Sequence, residues 1–182
     1  MKKLKNNKGF TLIELLVVML VLVTIGTIVT GTFMSALRGG NKGNNINDIR
    51  QNGNFIIAQM SKMIAYAQEF EGVSSTDTAD ASFSTTCSDP TTVYKYIKIK
   101  SFDGGETIFS CDVGNKTIAS GSSSLIDTTK MNITSCVFLC LRSSTVISPT
   151  LDISFTLQSA NMGNNPENNT AITFETGIKP RN

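Results

Sequence analysis

A single carboxylate lies inside a long apolar run near the N-terminus. Glu14 is preceded by Leu12 and Ile13 and followed by Leu15 and Leu16. Hydrocarbon penalises a charged side chain by about 2.5 to 3.5 kcal/mol on insertion scales, so a charge kept there usually has a partner or a task. These residue types predict an ion pair in an apolar environment, and the positive partner has to be found elsewhere.

The apolar run that holds Glu14 is long enough to cross a membrane. Residues 10–29 carry one charge, and about 20 helical residues span a hydrocarbon core of about 30 Å. A cleaved secretory signal has a shorter apolar region that ends at a small-x-small site. This run continues through TGTFMSALRGG, residues 30–40, without such a site. The pattern therefore favours a membrane-spanning helix.

Basic residues precede this helix and fix its orientation. The leader holds Lys2, Lys3, Lys5 and Lys8, which keep the N-terminus in the cytoplasm by the positive-inside rule. Without these four lysines the chain has 12 basic and 14 acidic residues, so its net charge changes from +2 to −2. A mildly acidic mature chain lacks the clustered Lys and Arg of a general nucleic-acid-binding protein, which indicates against nucleic acid as a partner.

The segment KGFTLIE, residues 8–14, resembles the class III signal of type IV pilins and type II secretion pseudopilins. The resemblance implies that a prepilin peptidase cuts after Gly9 and methylates the new amine of Phe10. A glycine suits this position because the backbone must approach the peptidase closely. The implied partners are the prepilin peptidase, other pilins or pseudopilins, the assembly platform of the bacterial inner membrane, and that membrane itself. The chain would then move from the inner membrane into a periplasmic or cell-surface filament.

The same resemblance supplies a partner for Glu14. In pilin-like filaments the carboxylate at this position is thought to pair with the N-terminal amine of a neighbouring subunit, which here would be that of Phe10. Two charges in an apolar environment compensate each other in part, so the pair would favour one axial register between subunits. The alternative is that Glu14, which lies close to the start of the helix, snorkels to the cytoplasmic interface.

The rest of the chain predicts an α+β, pilin-like domain. Gly39, Gly40 and Gly43, with neighbouring asparagines, indicate that residues 39–45 are flexible or unwound. Apolar residues then recur at spacings of three and four, which predicts an amphipathic helix over about residues 46–70. The predicted organisation is a leader at 1–9, a membrane and assembly helix at 10–38, this flexible segment, and an extracytoplasmic domain at 46–182. Gly26 and Gly31 lie in the membrane helix, and any kink would depend on them.

Residues 71–92, rich in Ser, Thr and Asp, are predicted to form a surface loop. Strand patterns follow over about residues 92–178, with a hairpin at DGG, residues 103–105, and they predict one antiparallel sheet of about five strands. The C-terminal stretch ITFETGIKPRN, residues 172–182, and the order of elements are most similar to J-type pseudopilins and W-type minor pilins.

Four cysteines follow the membrane segment, on the side where oxidation occurs: Cys87, Cys111, Cys136 and Cys140. The chain has no histidine, and the cysteine spacing fits zinc sites poorly, so two disulfides are predicted and no metal. In one continuous strand Cys136 and Cys140 would lie about 13 Å apart, beyond disulfide reach. They would then bond separately to Cys87 and Cys111. A bulge at residues 137–139 would allow other pairings, so the connectivity stays open.

No arrangement of catalytic residues or cofactor-binding residues is found in the sequence. The chain is therefore predicted to be a structural filament subunit without a cofactor, and not an enzyme. The alternative is a membrane-anchored binding module that never polymerises. A weak ligand-binding face is conceivable where strand residues alternate between aromatic and basic side chains, although a solvated strand face with edge lysines is favoured. Its residues are Tyr94, Tyr96, Lys98 and Lys100.

Overall fold

The computed structural model describes residues 9–76, 83–87, 89, 91–142, 147–160 and 170–181. Its longest element is helix α1, Leu12–Ala65. The chain divides into two compact units, one ending at Asn41 and one beginning at Lys42. The leader up to residue 8 lies outside the described residues.

The predicted break in the helix at residues 39–45 is wrong, because these residues lie in α1. A glycine weakens a helix by about 1 kcal/mol relative to alanine but does not forbid it, and helix propensity yields readily to context. These positions are also surrounded by open space, because a Cβ on Gly39, Gly40 or Gly43 would contact nothing within 4 Å. The predicted end of this helix near residue 70 is also corrected, to Ala65.

The first sheet contains five antiparallel strands in the order β1-β2-β3-β4-β5. Strands β2 and β3 form the hairpin predicted at residues 103–105. Strands β4 and β5 were not predicted from the sequence. The strands are β1 (Glu69–Ser74), β2 (Tyr96–Lys100), β3 (Glu106–Asp112), β4 (Thr117–Ser120) and β5 (Ser123–Ser124).

The second sheet contains three antiparallel strands in the order β6-β7-β8. They are β6 (Met131–Leu141), β7 (Thr150–Ser159) and β8 (Ala171–Ile178). One long N-terminal helix followed by antiparallel sheets confirms the predicted α+β, pilin-like class. The expected single sheet is instead two, since β3 and β6 are not hydrogen-bonded neighbours in either sheet.

Strand β1 corrects the predicted surface loop over residues 71–92 at its start, residues 71–74. Residues 77–82, 88 and 90 of that prediction lie outside the described residues. Phe70 and Val73 are buried, which gives β1 an apolar side that packs in the core. Val73 also pairs with Ser84 in an isolated antiparallel bridge. Gly72 has φ +133°, and a Cβ there would meet the Ser84 backbone oxygen at 2.8 Å. Glycine is therefore required twice at this position, by its backbone angle and by the close approach.

One hydrophobic core joins the second half of α1 to the inner faces of both sheets. On α1 its residues recur at helical spacing, as predicted: Ile49, Gly53, Ile56, Met60 and Ile64 are all buried. Gly53 faces β8, where a Cβ would overlap the ring of Phe174. Phe174 in turn stacks on Phe155 of β7, with ring centroids 5.4 Å apart. The helix and the second sheet thus approach closely because a glycine lies between them.

Candidate processing and assembly site

Helix α1 begins two residues after Phe10, and Thr11 caps it. The Glu14 backbone N–H donates to Thr11 Oγ1 at 3.3 Å, and the Leu15 N–H donates to the Thr11 carbonyl at 3.2 Å. These are the bonds of an N-cap threonine, which satisfies backbone donors that the first turn leaves without helical partners. Gly9 and Phe10 consequently lie before the helix, so the predicted cut falls in non-helical chain.

Thr11 is a residue that the sequence reasoning missed. The pattern Thr11-x-x-Glu14 is that of a capping box, in which a Ser or Thr at the N-cap is followed three residues later by Glu or Gln. That signal was present in the sequence. It gives Glu14 a local role as well, because an acidic side chain in the first turn is favoured by the positive end of the helix.

The Glu14 carboxylate is exposed. Among the residues that the structure describes, no lysine or arginine nitrogen lies within ion-pair distance of it. The carboxylate is therefore free to meet a partner outside the described chain.

The apolar side chains that follow are also uncovered by their own chain. Phe10 is 79% exposed and Leu12 83%, and the most apolar 18-residue window of α1 has a mean hydropathy of 2.8 with none of it buried. By length and composition this helix can cross a membrane. Its outer surface is apolar in every direction, as expected of a helix that lies in lipid or among other helices.

Threonine hydroxyls in this segment are satisfied by the helix itself. Thr24 donates to the Val21 carbonyl at 2.8 Å, and Thr27 donates to the Thr24 carbonyl at 2.8 Å. Thr30 donates to the Gly26 carbonyl, again at 2.8 Å. Polar groups in hydrocarbon need such internal partners. The threonines are thus compatible with a lipid environment.

Residues 4–30 match the family model of the prokaryotic N-terminal methylation motif. The chain carries a class III signal. This signal implies processing by a prepilin peptidase and assembly with other pilins, and with the fold it supports a type IV pilin-like subunit. It is also consistent with anchoring in the inner membrane before assembly. No curated protein and no solved structure matches the chain.

Two disulfides lie in the second compact unit, the globular unit, which begins at Lys42. Cys87 bonds to Cys140, with Cα atoms 5.2 Å apart, and Cys111 bonds to Cys136, with Cα atoms 5.9 Å apart. Cys136 and Cys140 both face inward from β6, on which the register shift falls earlier, between Ile133 and Ser135. This geometry gives them separate partners. The Cys111–Cys136 bond joins β3 to β6 and so links the two sheets.

The four residues of the possible ligand face do not share one strand. Tyr96, Lys98 and Lys100 lie on the outer side of β2. Tyr94 lies before β2 and forms a bridge to Phe138 of β6, with its N–H donating to the Phe138 carbonyl at 2.8 Å. The structure therefore separates Tyr94 from the other three by tying it to the second sheet.

Lys98 is held between two carboxylates. Its Nζ lies 2.7 Å from Glu71 Oε2 and 2.8 Å from Glu106 Oε2. The β1 register shifts between Phe70 and Gly72, so Glu71 is the extra residue of a bulge, and such a bulge re-aims its side chain. The hydrogen bond to Glu106, followed by that to Glu71, raises the pKa of Lys98. The charge of Lys98 is thus compensated within the protein and is not offered to an anionic ligand.

Proposed function

We propose that this protein is a non-enzymatic filament subunit, a minor pilin or pseudopilin of a type IV pilus or type II secretion system. It is cut after Gly9, methylated on Phe10 and assembled through its N-terminal helix. In the filament the Glu14 carboxylate pairs with the Phe10 amine of a neighbour. The observation that carries this proposal is the match of residues 4–30 to the methylation motif, placed at the start of a long apolar helix.

The exposure of the N-terminal helix supports assembly. Side chains over residues 9–41 are exposed in the isolated chain, and water does not tolerate an apolar surface of that extent. Lipid covers it before assembly, and the helices of other subunits are the chemically equivalent cover afterwards. Glu14 has no described partner in its own chain, which leaves it able to meet an amine from another subunit.

A membrane-anchored binding module that does not polymerise is the second candidate. It shares the apolar helix but has no use for a cleaved and methylated N-terminus. Processing therefore distinguishes the two functions, since a cut is what creates the amine that Glu14 would meet.

The first prediction is that the mature chain begins at Phe10 with a methylated amine. Intact mass of membrane-extracted protein from cells with an active prepilin peptidase should lack residues 1–9 and carry one added methyl group. Gly9→Leu should leave only the uncut form, because a side chain blocks close approach to the peptidase.

Two further samples make this test decisive. Protein from cells without the peptidase serves as the uncut mass standard, and Gly40→Leu serves as a control, since that glycine is in open space on α1 and outside the motif. A full-length species in the peptidase-positive cells would rule out the proposed function. Cross-links between N-terminal helices of copies in sheared filaments would support assembly.

A further inference from the structure

An open groove of about 520 Å³ lies between the last turns of α1 and the turn that joins β2 to β3. Tyr66 from the helix end and Phe102 from the turn both line it. They are 65% and 68% exposed, the most exposed large hydrophobic side chains among the described residues of the globular unit. Two aromatic rings left in water beside one groove form a surface suited to covering by a ligand.

The two elements that carry these rings are tied together. The Gln68 N–H, just after α1, donates to the Lys100 carbonyl at the end of β2, at 2.8 Å. The turn is closed by two backbone bonds, from the Ser101 N–H to the Gly105 carbonyl at 2.9 Å and from the Gly104 N–H to the Ser101 carbonyl at 3.0 Å. The rings are therefore presented on fixed backbone, which lowers the entropic cost of binding.

The rest of the lining is formed by Met63 and by four polar side chains, of which one is basic and one acidic: Gln59, Lys62, Ser101 and Asp103. Asp103 Oδ1 accepts from the Gly105 N–H at 3.0 Å, which fixes the carboxylate at the rim. Neither Lys62 nor Asp103 has an ion-pair partner among the described residues. The groove thus offers hydrogen-bond donors and acceptors beside two aromatic faces.

This combination selects among ligand classes. An apolar helix lying in the groove would cover Lys62 and Asp103 without hydrogen bonds, which is unfavourable. A nucleic acid strand would meet the Asp103 carboxylate with one lysine beside it, too little positive charge to bind phosphates. A sugar ring matches both features, since its C–H face packs on aromatic rings and its hydroxyls both donate and accept.

We propose that this groove binds one or two pyranose rings of a glycan, stacked on Tyr66 and Phe102 and hydrogen-bonded by Gln59, Lys62 and Asp103. The site lies in the globular unit, so it does not depend on filament assembly.

The test uses the full chain in a detergent without a sugar headgroup, with chitotriose, cellotriose and maltotriose as probes. Saturation-transfer NMR and titration should show saturable binding of at least one trisaccharide. Tyr66→Ala and Phe102→Ala should each weaken it at least about tenfold, as expected for an aromatic anchor. Both residues are exposed, so the fold should persist. Phe55→Ala is the control, because Phe55 is 57% exposed on the same helix and does not line the groove.

Three results would overturn the proposal. The first is no saturable binding of any of the three sugars, and the second is an equal loss of binding in Phe55→Ala. The third is that a photo-crosslinker placed at position 66 captures a second copy of the chain and no sugar. That result would assign the groove to contact between subunits.

Discussion

Glu14 combines a local role with a proposed intermolecular one, and substitutions can separate them. Glu14→Leu removes an expensive charge, so membrane insertion and cleavage should persist. Entry into the filament should fail, because the neighbour's amine is left without its counter-charge. Glu14→Gln keeps the capping pattern with Thr11 but not the charge, so its defect should be intermediate. The measurement is the amount of each variant that copurifies with sheared filaments.

Thr11 supplies the matched control for this prediction. Thr11→Ala removes the oxygen that accepts the Glu14 N–H while keeping the carboxylate, and Thr11→Ser keeps both. If helix capping alone explained the role of Glu14, Thr11→Ala would assemble as poorly as Glu14→Leu and Glu14→Gln would assemble normally. Assembly of Glu14→Leu at the level of the parent would mean that the carboxylate merely snorkels.

Gly53 makes a second prediction at the scale of one residue. Gly53→Ala places a Cβ in the ring of Phe174, and overpacking of this kind destabilises a core by about 1 to 3 kcal/mol. Gly43→Ala is the control, because its Cβ would meet nothing within 4 Å and alanine favours a helix by about 1 kcal/mol. Thermal unfolding should therefore shift down for the first and up or not at all for the second. A stabilised Gly53→Ala would show that α1 and β8 are farther apart.

At the scale of elements, the Lys98 cluster couples the stability of the first sheet to pH. Glu106 of β3 has its pKa lowered, chiefly by the hydrogen bond from Lys98. A carboxyl with a lowered folded-state pKa stabilises the fold above its unfolded pKa, and this contribution is lost as pH falls through the folded value. The pKa of Lys98 is raised. Lys98 therefore stabilises the fold below its unfolded-state pKa, and this contribution to stability is lost as pH rises through its folded-state pKa.

The predicted result is that Glu106→Gln lowers stability at neutral pH and reduces the loss of stability on acidification. Denaturant unfolding at several pH values between acid and neutral measures both effects. Lys98→Met should remove the same pH dependence of stability. The double variant, Glu106→Gln with Lys98→Met, should lose less free energy of unfolding than the two single variants combined, since the groups are in contact. Additive losses would show that the two side chains do not interact. Because Glu106 is exposed, the effect is that of a surface ion pair and should weaken in salt.

At the scale of the whole molecule, the two disulfides add covalent links between segments that lie far apart in the sequence. Cys111–Cys136 joins the two sheets, and Cys87–Cys140 fixes the segment around residue 87 to the second sheet. Replacing both members of either pair with alanine should lower the free energy of unfolding by about 2 to 5 kcal/mol. Denaturant unfolding measures it, and thiol counting on the denatured parent should find no free thiol. Four free thiols after export would contradict the pairing.

The motif at the N-terminus could be predicted from sequence because its chemistry is local. A peptidase and a membrane both respond to contiguous residues, so Gly9, Phe10 and the apolar run carry their meaning without tertiary structure. The inward face of α1 was likewise predicted, since Ile49, Gly53 and Met60 recur at helical spacing and are buried. The helix through residues 39–45 was not, because glycine lowers helix propensity without deciding the outcome.

Only the tertiary structure decided what depends on distant residues. The sequence predicted two disulfides from four cysteines. A continuous β6 excludes a bond between Cys136 and Cys140, but only the packing of distant segments against β6 decided that Cys140 bonds to Cys87 and Cys136 to Cys111. The sequence showed alternating aromatic and basic residues at 94–100. In the fold, Tyr94 bridges to the second sheet, and Lys98 lies between two carboxylates. Strand β1 forms where a loop was predicted because Phe70 and Val73 are buried in the core. Local sequence patterns indicate which residues will be buried or will form ion pairs. Their partners depend on chain segments that come into contact only after folding.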